Sequence, residues 1–400
     1  MDFIDFIDGL KGLSFQQKRI LKEQAQDLVL WGGEQIEDLW PKDYAPKSKV
    51  EATKVFDSVM ARIGEMRCNV SFSSSSSGSS SSGAGAFGRV SIVPDFKAPH
   101  TIMGRCPCPD ESQFLRCCNL KTLDAVQQCA FACSYCSIRN FYSDNEIRVV
   151  SDLDKVLSTL VLDPNVWHIG TGQSSDSLLL GDDYGTLTAL GNFARRHPNV
   201  VIELKTKSSR TDWLSLDLPR NIVATWSLNA ESVVNNEEHL TSSLSARIEA
   251  AAKCAEHGRL VGFHVHPMMR FDAWKEEYAS LVEKLTSAVD PASVVMVGIG
   301  TLTFTKSALK SIRESKFHTH VTQMPLTPIA GKFSYPFEMK KEMFSHLYSC
   351  FPQSWKDNVF FYLCMEDPAL WQPCLGRSYE SNAEFEKAMK EFYMAKIKTG

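Results

Sequence analysis

Three cysteines fall close together in Cys129-Ala-Phe-Ala-Cys133-Ser-Tyr135-Cys136, a C-x3-C-x2-C spacing. Three thiolates this near one another can wrap a single 4Fe–4S cube and leave its fourth iron without a protein ligand. An open iron can chelate the amino and carboxylate groups of S-adenosylmethionine. One electron passed through the cluster then cleaves the sulfonium to methionine and a 5′-deoxyadenosyl radical. Tyr135, the aromatic before the third cysteine, is a catalytic candidate beside the three metal candidates.

Other residues could do chemistry by type and spacing. Cys106-Pro-Cys108 and Cys117-Cys118 place four thiols just ahead of the main motif, a set that could hold zinc or a second cluster. Adjacent cysteines point in different directions in most conformations, and reduced buried thiols are the competing reading. His264-x-His266 and His318-x-His320 each put two imidazoles on one face of a strand. No third ligand at a familiar spacing accompanies either pair. Cys364 follows an apolar run and could point into an active-site mouth, although free cysteine is also commonly buried.

These residues need elements to position them. From residue 120 onward, strand-length apolar runs at 122–126, 166–170, 200–205, 222–227, 260–266 and 294–300 alternate with helical patterns at 153–162, 186–196, 245–257 and 273–288. Such alternation predicts parallel strands joined by right-handed crossovers, and so an α/β fold: a partial (β/α) TIM-type barrel of about six units. A doubly wound sheet is the competing architecture. Barrel chemistry belongs where strand C-termini meet their loops.

Around this core the reading places an N-terminal helical region over 1–68, with a capping box at Ser14 and Gln17. A Ser/Gly-rich flexible linker over 69–88 follows. The barrel domain with the cluster loop runs over 89–330. A C-terminal region over 331–400 carries a helix at 337–350, a strand at 359–363 and a final helix at 383–396, and completes the substrate side.

The 400 residues carry a net charge of −4, with no basic surplus for extended wrapping of nucleic acid. The start is acidic and does not read as a targeting peptide, and no run of 18 apolar residues occurs. The expectation is a soluble intracellular protein without membrane contact, cytoplasmic, or nuclear if eukaryotic. Its cysteines are then metal ligands or buried thiols rather than disulfides.

The cysteine motif is diagnostic of the radical SAM superfamily, and the likeness extends further. From Leu120 to about Trp371 the chain resembles the spore photoproduct lyase family. The matching stretches, in order, are Cys133-Ser-Tyr-Cys136, Gly172-Gln-Ser-Ser-Asp-Ser-Leu178, Glu203-Leu-Lys-Thr-Lys207, Trp226-Ser-Leu-Asn229, residues 262–267, Trp274-Lys-Glu-Glu-Tyr278, Gly331-Lys-Phe-Ser-Tyr335 and Tyr362-Leu-Cys-Met-Glu366. The resemblance implies a 4Fe–4S cluster, S-adenosyl-L-methionine as cofactor, and DNA repair by direct reversal of a thymine-dimer lesion. It implies cofactor contacts at Ser175, Lys207, Ser227 and His266. Hydroxyls suit ribose or carboxylate oxygens and an ammonium suits a carboxylate. It also implies a local contact to damaged DNA near Lys332 and Tyr335, with Lys340 and Lys341 following, and a one-electron reductant of the flavodoxin or ferredoxin type.

Two positions depart from the family. Gln173 stands where the family's hydrogen-donor cysteine falls, and an amide N–H is far stronger than a thiol S–H. Ser137 stands where the family has a tyrosine thought to relay the hydrogen. Gln173 has a second reading, since its carbonyl could accept from the methionine amino group of the cofactor. The expected function is therefore a radical SAM lyase acting on DNA lesions. The rivals are radical modification of a peptide, RNA or small molecule, and an iron–sulfur electron carrier or sensor without catalysis.

Overall fold

Alternating apolar and polar residues explain the central sheet. In Val201–Thr206, Ile202 and Leu204 face one side while Glu203 and Lys205 face the other, and the same period runs through its neighbours. A computed structural model of the chain describes residues 2–72, 90–99, 101–106, 115–136, 145–315, 317–329 and 331–399. Most of the Ser/Gly-rich stretch, and with it Cys108 and Ser137, lies outside the described residues.

The chain divides into two units. One comprises Met1–Ser73, Met269–Ala273 and Thr303–Pro336; the other comprises Ser74–Met268, Trp274–Leu302 and Phe337–Gly400. The second holds the eight-stranded sheet. Its strands are β1 (Met103–Arg105), β2 (Lys121–Leu123), β3 (His168–Thr171), β4 (Val201–Thr206), β5 (Ile222–Leu228), β6 (Val261–Met268), β7 (Val294–Thr301) and β8 (Phe360–Leu363). They lie side by side in chain order. β2 to β8 are mutually parallel and β1 is antiparallel to β2. The sheet is open and curled, a half-barrel with β1 and β8 at its edges. The crossovers include helices Thr186–Arg196, Leu244–Glu256 and Trp274–Ala288.

The sequence predicts six parallel strands, with 359–363 in the tail. In the structure Phe360–Leu363 pairs in parallel with β7 and is the seventh. The run at 122–126 breaks in two. Val126–Gln127 leaves the main sheet to pair with Glu146–Val150, because the Asp124 N–H turns to Ile102 O (3.1 Å) and its carboxylate accepts from Ser174 (2.6 Å). The helix expected over 153–162 stops at Ser158, where β-branched Thr159 and Val161 precede Pro164.

In the other unit, helix Phe15–Leu30 opens with the predicted box: Ser14 accepts from the Gln17 N–H and Gln17 returns a bond to the Ser14 N–H. Leu21, Ala25 and Leu28 of that helix pack with Val59 and Ile63 of helix Lys49–Cys68. Buried Asp27 pairs with Arg67 (2.9 Å) and Arg313 (2.8 Å). No helix among the described residues is long and apolar enough to cross a membrane.

Candidate active site

The cluster loop is held by a segment that follows β5, three strands along the sheet from β2. Ala132–Cys133 pairs antiparallel with Glu238–His239, which follows helix Glu231–Glu237. The Ser134 N–H donates to Glu237 O at 2.8 Å, and the Ser134 hydroxyl donates to the Glu237 carboxylate. The Tyr135 hydroxyl donates to Glu238. Glu238 is buried and also receives Lys207 at 3.2 Å and Arg247 at 2.6 Å. Burial pushes its carboxyl up, but the two cations and the tyrosine hydroxyl outweigh that and bring it down to about 2. Glu238 is thus a fixed anion that gathers a loop tyrosine, a strand-end lysine and a helix arginine. The Lys207 ammonium rests 5.7 Å from the centre of the Tyr135 ring.

A second set of bonds holds the other side of the loop. Gly172 takes φ +82°, and a Cβ there would meet Lys205 O and Ser177 Oγ at 2.7 Å, so the turn after β3 needs glycine. That turn brings up four polar residues. Ser174 donates to Asp124, and Ser175 donates to Gln128 O at 2.7 Å, immediately before Cys129. Asp176 accepts from the Lys207 N–H (2.7 Å) and the Thr206 hydroxyl (2.8 Å). Ser177 Oγ lies 2.6 Å from Thr171 Oγ1. Ser175 therefore spends its proton on the cluster loop and keeps its oxygen as an acceptor.

The three loop thiols lie within electrostatic reach of one another. Burial, then Asp176, raises the Cys129 thiol well above its usual value. Burial pushes Cys133 up to about 12, with Lys207 pulling the other way. Burial thus favours the protonated form of Cys129 and Cys133, and loading iron must displace those protons. The donor set fits an iron–sulfur cluster: three cysteine sulfurs on one loop, the spacing such clusters use, with cations at Lys207 and Arg247 to offset cluster charge. Among the described residues, no three Cys, His, Asp or Glu side chains already stand together at ligating distance.

The remaining sequence-predicted residues divide. Ser227, one residue before the end of β5, lies on the face that carries Thr225, whose hydroxyl donates to Glu203 at 2.8 Å in the half-barrel interior. His266 shares that interior on β6; its ring would lie 3.0 Å from a Cβ at Gly300. Burial, then His264, Lys205 and Lys207, lowers His266 to about 3, so it stays a neutral imidazole. His264 is tied to Glu203 at 2.6 Å, as an internal strut. With its amide oriented to suit its neighbours, Gln173 donates to Thr171 O (3.2 Å) and accepts from Lys205 Nζ (2.9 Å). Cys364 follows β8 and lines a small cavity with Cys106, Cys117 and Cys118.

Two expectations are corrected. Tyr335 is fully buried and its hydroxyl accepts from the Arg270 N–H at 3.2 Å, so its ring is not offered for stacking on a base. Lys340 is buried in an ion pair with Glu366 at 2.7 Å rather than free for a phosphate. Lys332 is partly exposed on strand Lys332–Ser334. His320, in the same unit as Tyr335, is pushed down by burial, with a bond to Gln323 opposing.

Sequence reasoning missed Asp176, Glu237, Glu238 and Arg247. Asp176 sat inside a quoted stretch without a role. The others lie on a crossover far down the chain, 103 residues from the loop in the case of Ser134 and Glu237. Only the paired acids after a helix hinted at them.

The chain is similar to known proteins of one family. The family model described as spore photoproduct lyase matches residues 122–335. A spore photoproduct lyase of Clostridium acetobutylicum is 25% identical over 220 residues, covering 53% of this chain and 64% of that protein. The Bacillus subtilis enzyme is 45% identical over 64 residues, covering 16% of this chain and 19% of its own length. The chain thus spans less than two thirds of the length of these curated relatives. Among solved structures, spore photoproduct lyase complexed with dinucleoside spore photoproduct superposes with a TM-score of 0.51 at 22% identity, covering 61% of this chain and 76% of that one. A variant with bound AdoMet and dinucleoside spore photoproduct gives 0.54 at 18% identity, covering 88% and 96%. Likeness at these identities speaks for a shared fold.

Proposed function

The chain belongs to the spore photoproduct lyase family of radical SAM enzymes, and from that premise we propose that it acts on a thymine-dimer lesion in DNA. A 4Fe–4S cluster on Cys129, Cys133 and Cys136 would supply one electron to S-adenosylmethionine, releasing the 5′-deoxyadenosyl radical. The relative with bound AdoMet and dinucleoside spore photoproduct supports both ligand classes. In this chain Lys207 is the cation to meet the methionine carboxylate, and it is held in place by Glu238. Ser227 and the acceptor oxygen of Ser175 are polar contacts for the cofactor, and neutral His266 is a donor or acceptor without charge. Gln173 already receives Lys205, so its carbonyl is shared rather than reserved for the methionine amino group. The electron would come from a flavodoxin- or ferredoxin-type reductant inside the cell.

One observation carries this reading. Glu238 joins the cluster loop, through Tyr135, to Lys207 and Arg247 in one buried network. A lysine held beside the cluster loop can meet a cofactor carboxylate as well as offset cluster charge, and the first of these roles is one that an iron–sulfur carrier would not use. Gln173 in place of a thiol favours a second reading, the same radical chemistry on another substrate.

The test is anaerobic incubation of reconstituted protein with S-adenosylmethionine, dithionite and dinucleoside spore photoproduct, following deoxyadenosine and thymine product together. Deoxyadenosine with lesion loss is the expected result. Deoxyadenosine that is indifferent to the lesion would select the second reading, and no deoxyadenosine from a fully loaded cluster would reject both.

A further inference from the structure

Seven of the described cysteines fall into two groups, and the second is not used by the proposed chemistry. Cys106 directly follows edge strand β1, and its N–H donates to Leu120 O at 2.9 Å. Cys364 directly follows the opposite edge strand β8, and its N–H donates to Ile299 O of β7 at 2.7 Å. Between them runs the segment with Cys117 and Cys118, anchored to the β8 side where the Arg116 N–H meets Glu366 O at 2.9 Å. All four thiols line one cavity of about 20 Å³. Cys106, Cys117 and Cys118 also line an outer hollow of about 320 Å³, which gives an entry path.

We propose that Cys106, Cys117, Cys118 and Cys364 form a structural zinc site that clamps the two edges of the open half-barrel. The volume selects the occupant: about 20 Å³ admits one atom-sized guest, as a single water needs roughly 10–15 Å³, and is far too small for a cubane. The donors select the metal, since four soft thiolates in a closed shell suit tetrahedral zinc. Adjacent cysteines usually diverge, but here Cys117 and Cys118 line the same cavity. Zinc with four thiolates carries two net negative charges; Lys205 lines the same cavity, together with Glu203, which pairs with it at 3.9 Å.

Each S–Zn bond forms as that sulfur loses its proton to solvent, so no electron is transferred and no oxidant is needed. None of the four thiols is in a disulfide. The sulfurs must draw inward to a Zn–S distance of about 2.3 Å, because no three described ligand side chains are yet gathered at ligating distance. A further consequence concerns Cys364. Bound to zinc it has no S–H to give, so it is a clamp residue and not a replacement hydrogen donor.

The test uses the full chain. Zinc content after dialysis against a weak chelator, with zinc-edge X-ray absorption, should give one zinc per chain in a shell of four sulfurs. In a chain carrying Cys129→Ala, Cys133→Ala and Cys136→Ala, which removes iron absorbance, cobalt(II) alone should give a tetrathiolate spectrum at one equivalent. Cys118→Ser and Cys364→Ser should each weaken metal retention about tenfold or more. Zinc that dialyses away, a shell dominated by nitrogen or oxygen, or a cobalt spectrum unchanged in both serine variants would overturn the site. Should the serine variants fail to fold, the sulfur count on the unsubstituted chain decides.

Discussion

Asp27 and Glu238 are both buried carboxylates bracketed by two cations, one in each unit, yet they hold different things. Asp27 takes Arg67 and Arg313, and all three residues sit on helices: Phe15–Leu30, Lys49–Cys68 and Lys306–Glu314. Its network fastens regular elements that are already apolar on their inner faces. Glu238 takes Lys207, Arg247 and Tyr135, and two of these three lie outside regular elements, on the cluster loop and just beyond β4. A loop cannot be positioned by an apolar stripe, so directional charged bonds take over. The same electrostatic device therefore serves packing in one unit and site geometry in the other.

The largest expected effect comes from breaking the second network. Glu238→Gln leaves Lys207 and Arg247 buried without their counter-ion and loosens Tyr135. Iron retained after reconstitution and deoxyadenosine formed per chain should both fall by more than about tenfold. Iron content and turnover close to those of the unchanged chain would mean that the loop is held by its own backbone pairing, and the contrast with Asp27 would collapse.

Asp27→Asn is the matching cut in the other unit. Removing one partner of a buried ion pair costs about 3 kcal/mol or more, read as a lower midpoint in urea. Deoxyadenosine per folded chain should stay within about twofold, since neither loop nor strand ends depend on it. A selective loss of activity at unchanged stability would contradict the division of labour.

Ser175→Ala tests the finer bonding around the loop. It deletes the bond to Gln128 O just ahead of Cys129. The cost should be near 1 kcal/mol, with deoxyadenosine formation reduced by no more than about fivefold. A near-complete loss would give Ser175 a direct part in holding the cofactor rather than the loop.

What the sequence made legible follows the same line. Strand and helix periods at 186–196, 200–205 and 294–300 carried the half-barrel because buried faces impose a repeat on neighbouring residues. The three cysteines were legible because one loop supplies all of them. Glu238 and Arg247 were not, because the hydrogen bond that Tyr135 donates to Glu238 spans 103 residues and leaves no local pattern. Phe360–Leu363 was misplaced for a related reason: as the last parallel strand it closes an edge, and four apolar residues look alike in a tail or a sheet. Tyr335 misled by type, since an aromatic beside lysines reads as a contact surface until burial is known.

The smallest expected change to the molecule is also the sharpest test of the substrate. Gln173→Cys touches none of the Glu238 contacts, so cluster loading and uncoupled deoxyadenosine formation should stay within about threefold of the unchanged chain. What should change is the fate of a substrate radical. With an amide at this position, a radical formed on a thymine dimer has no S–H beside it and is quenched by reductant or ends as adducts. With a thiol there, hydrogen return becomes favourable, and thymine product should rise relative to deoxyadenosine. The substitution also removes the acceptor that Lys205 uses at 2.9 Å. Cofactor affinity measured in the same variant separates that loss from the gain in hydrogen return. A clean, rapid reversal by the unchanged chain would show that a donor other than position 173 is in place. Because the zinc assignment withdraws Cys364, that result would point to Tyr135, whose hydroxyl now faces Glu238. Indifference of both forms to the dimer would leave the radical-forming half intact and move the search to another substrate.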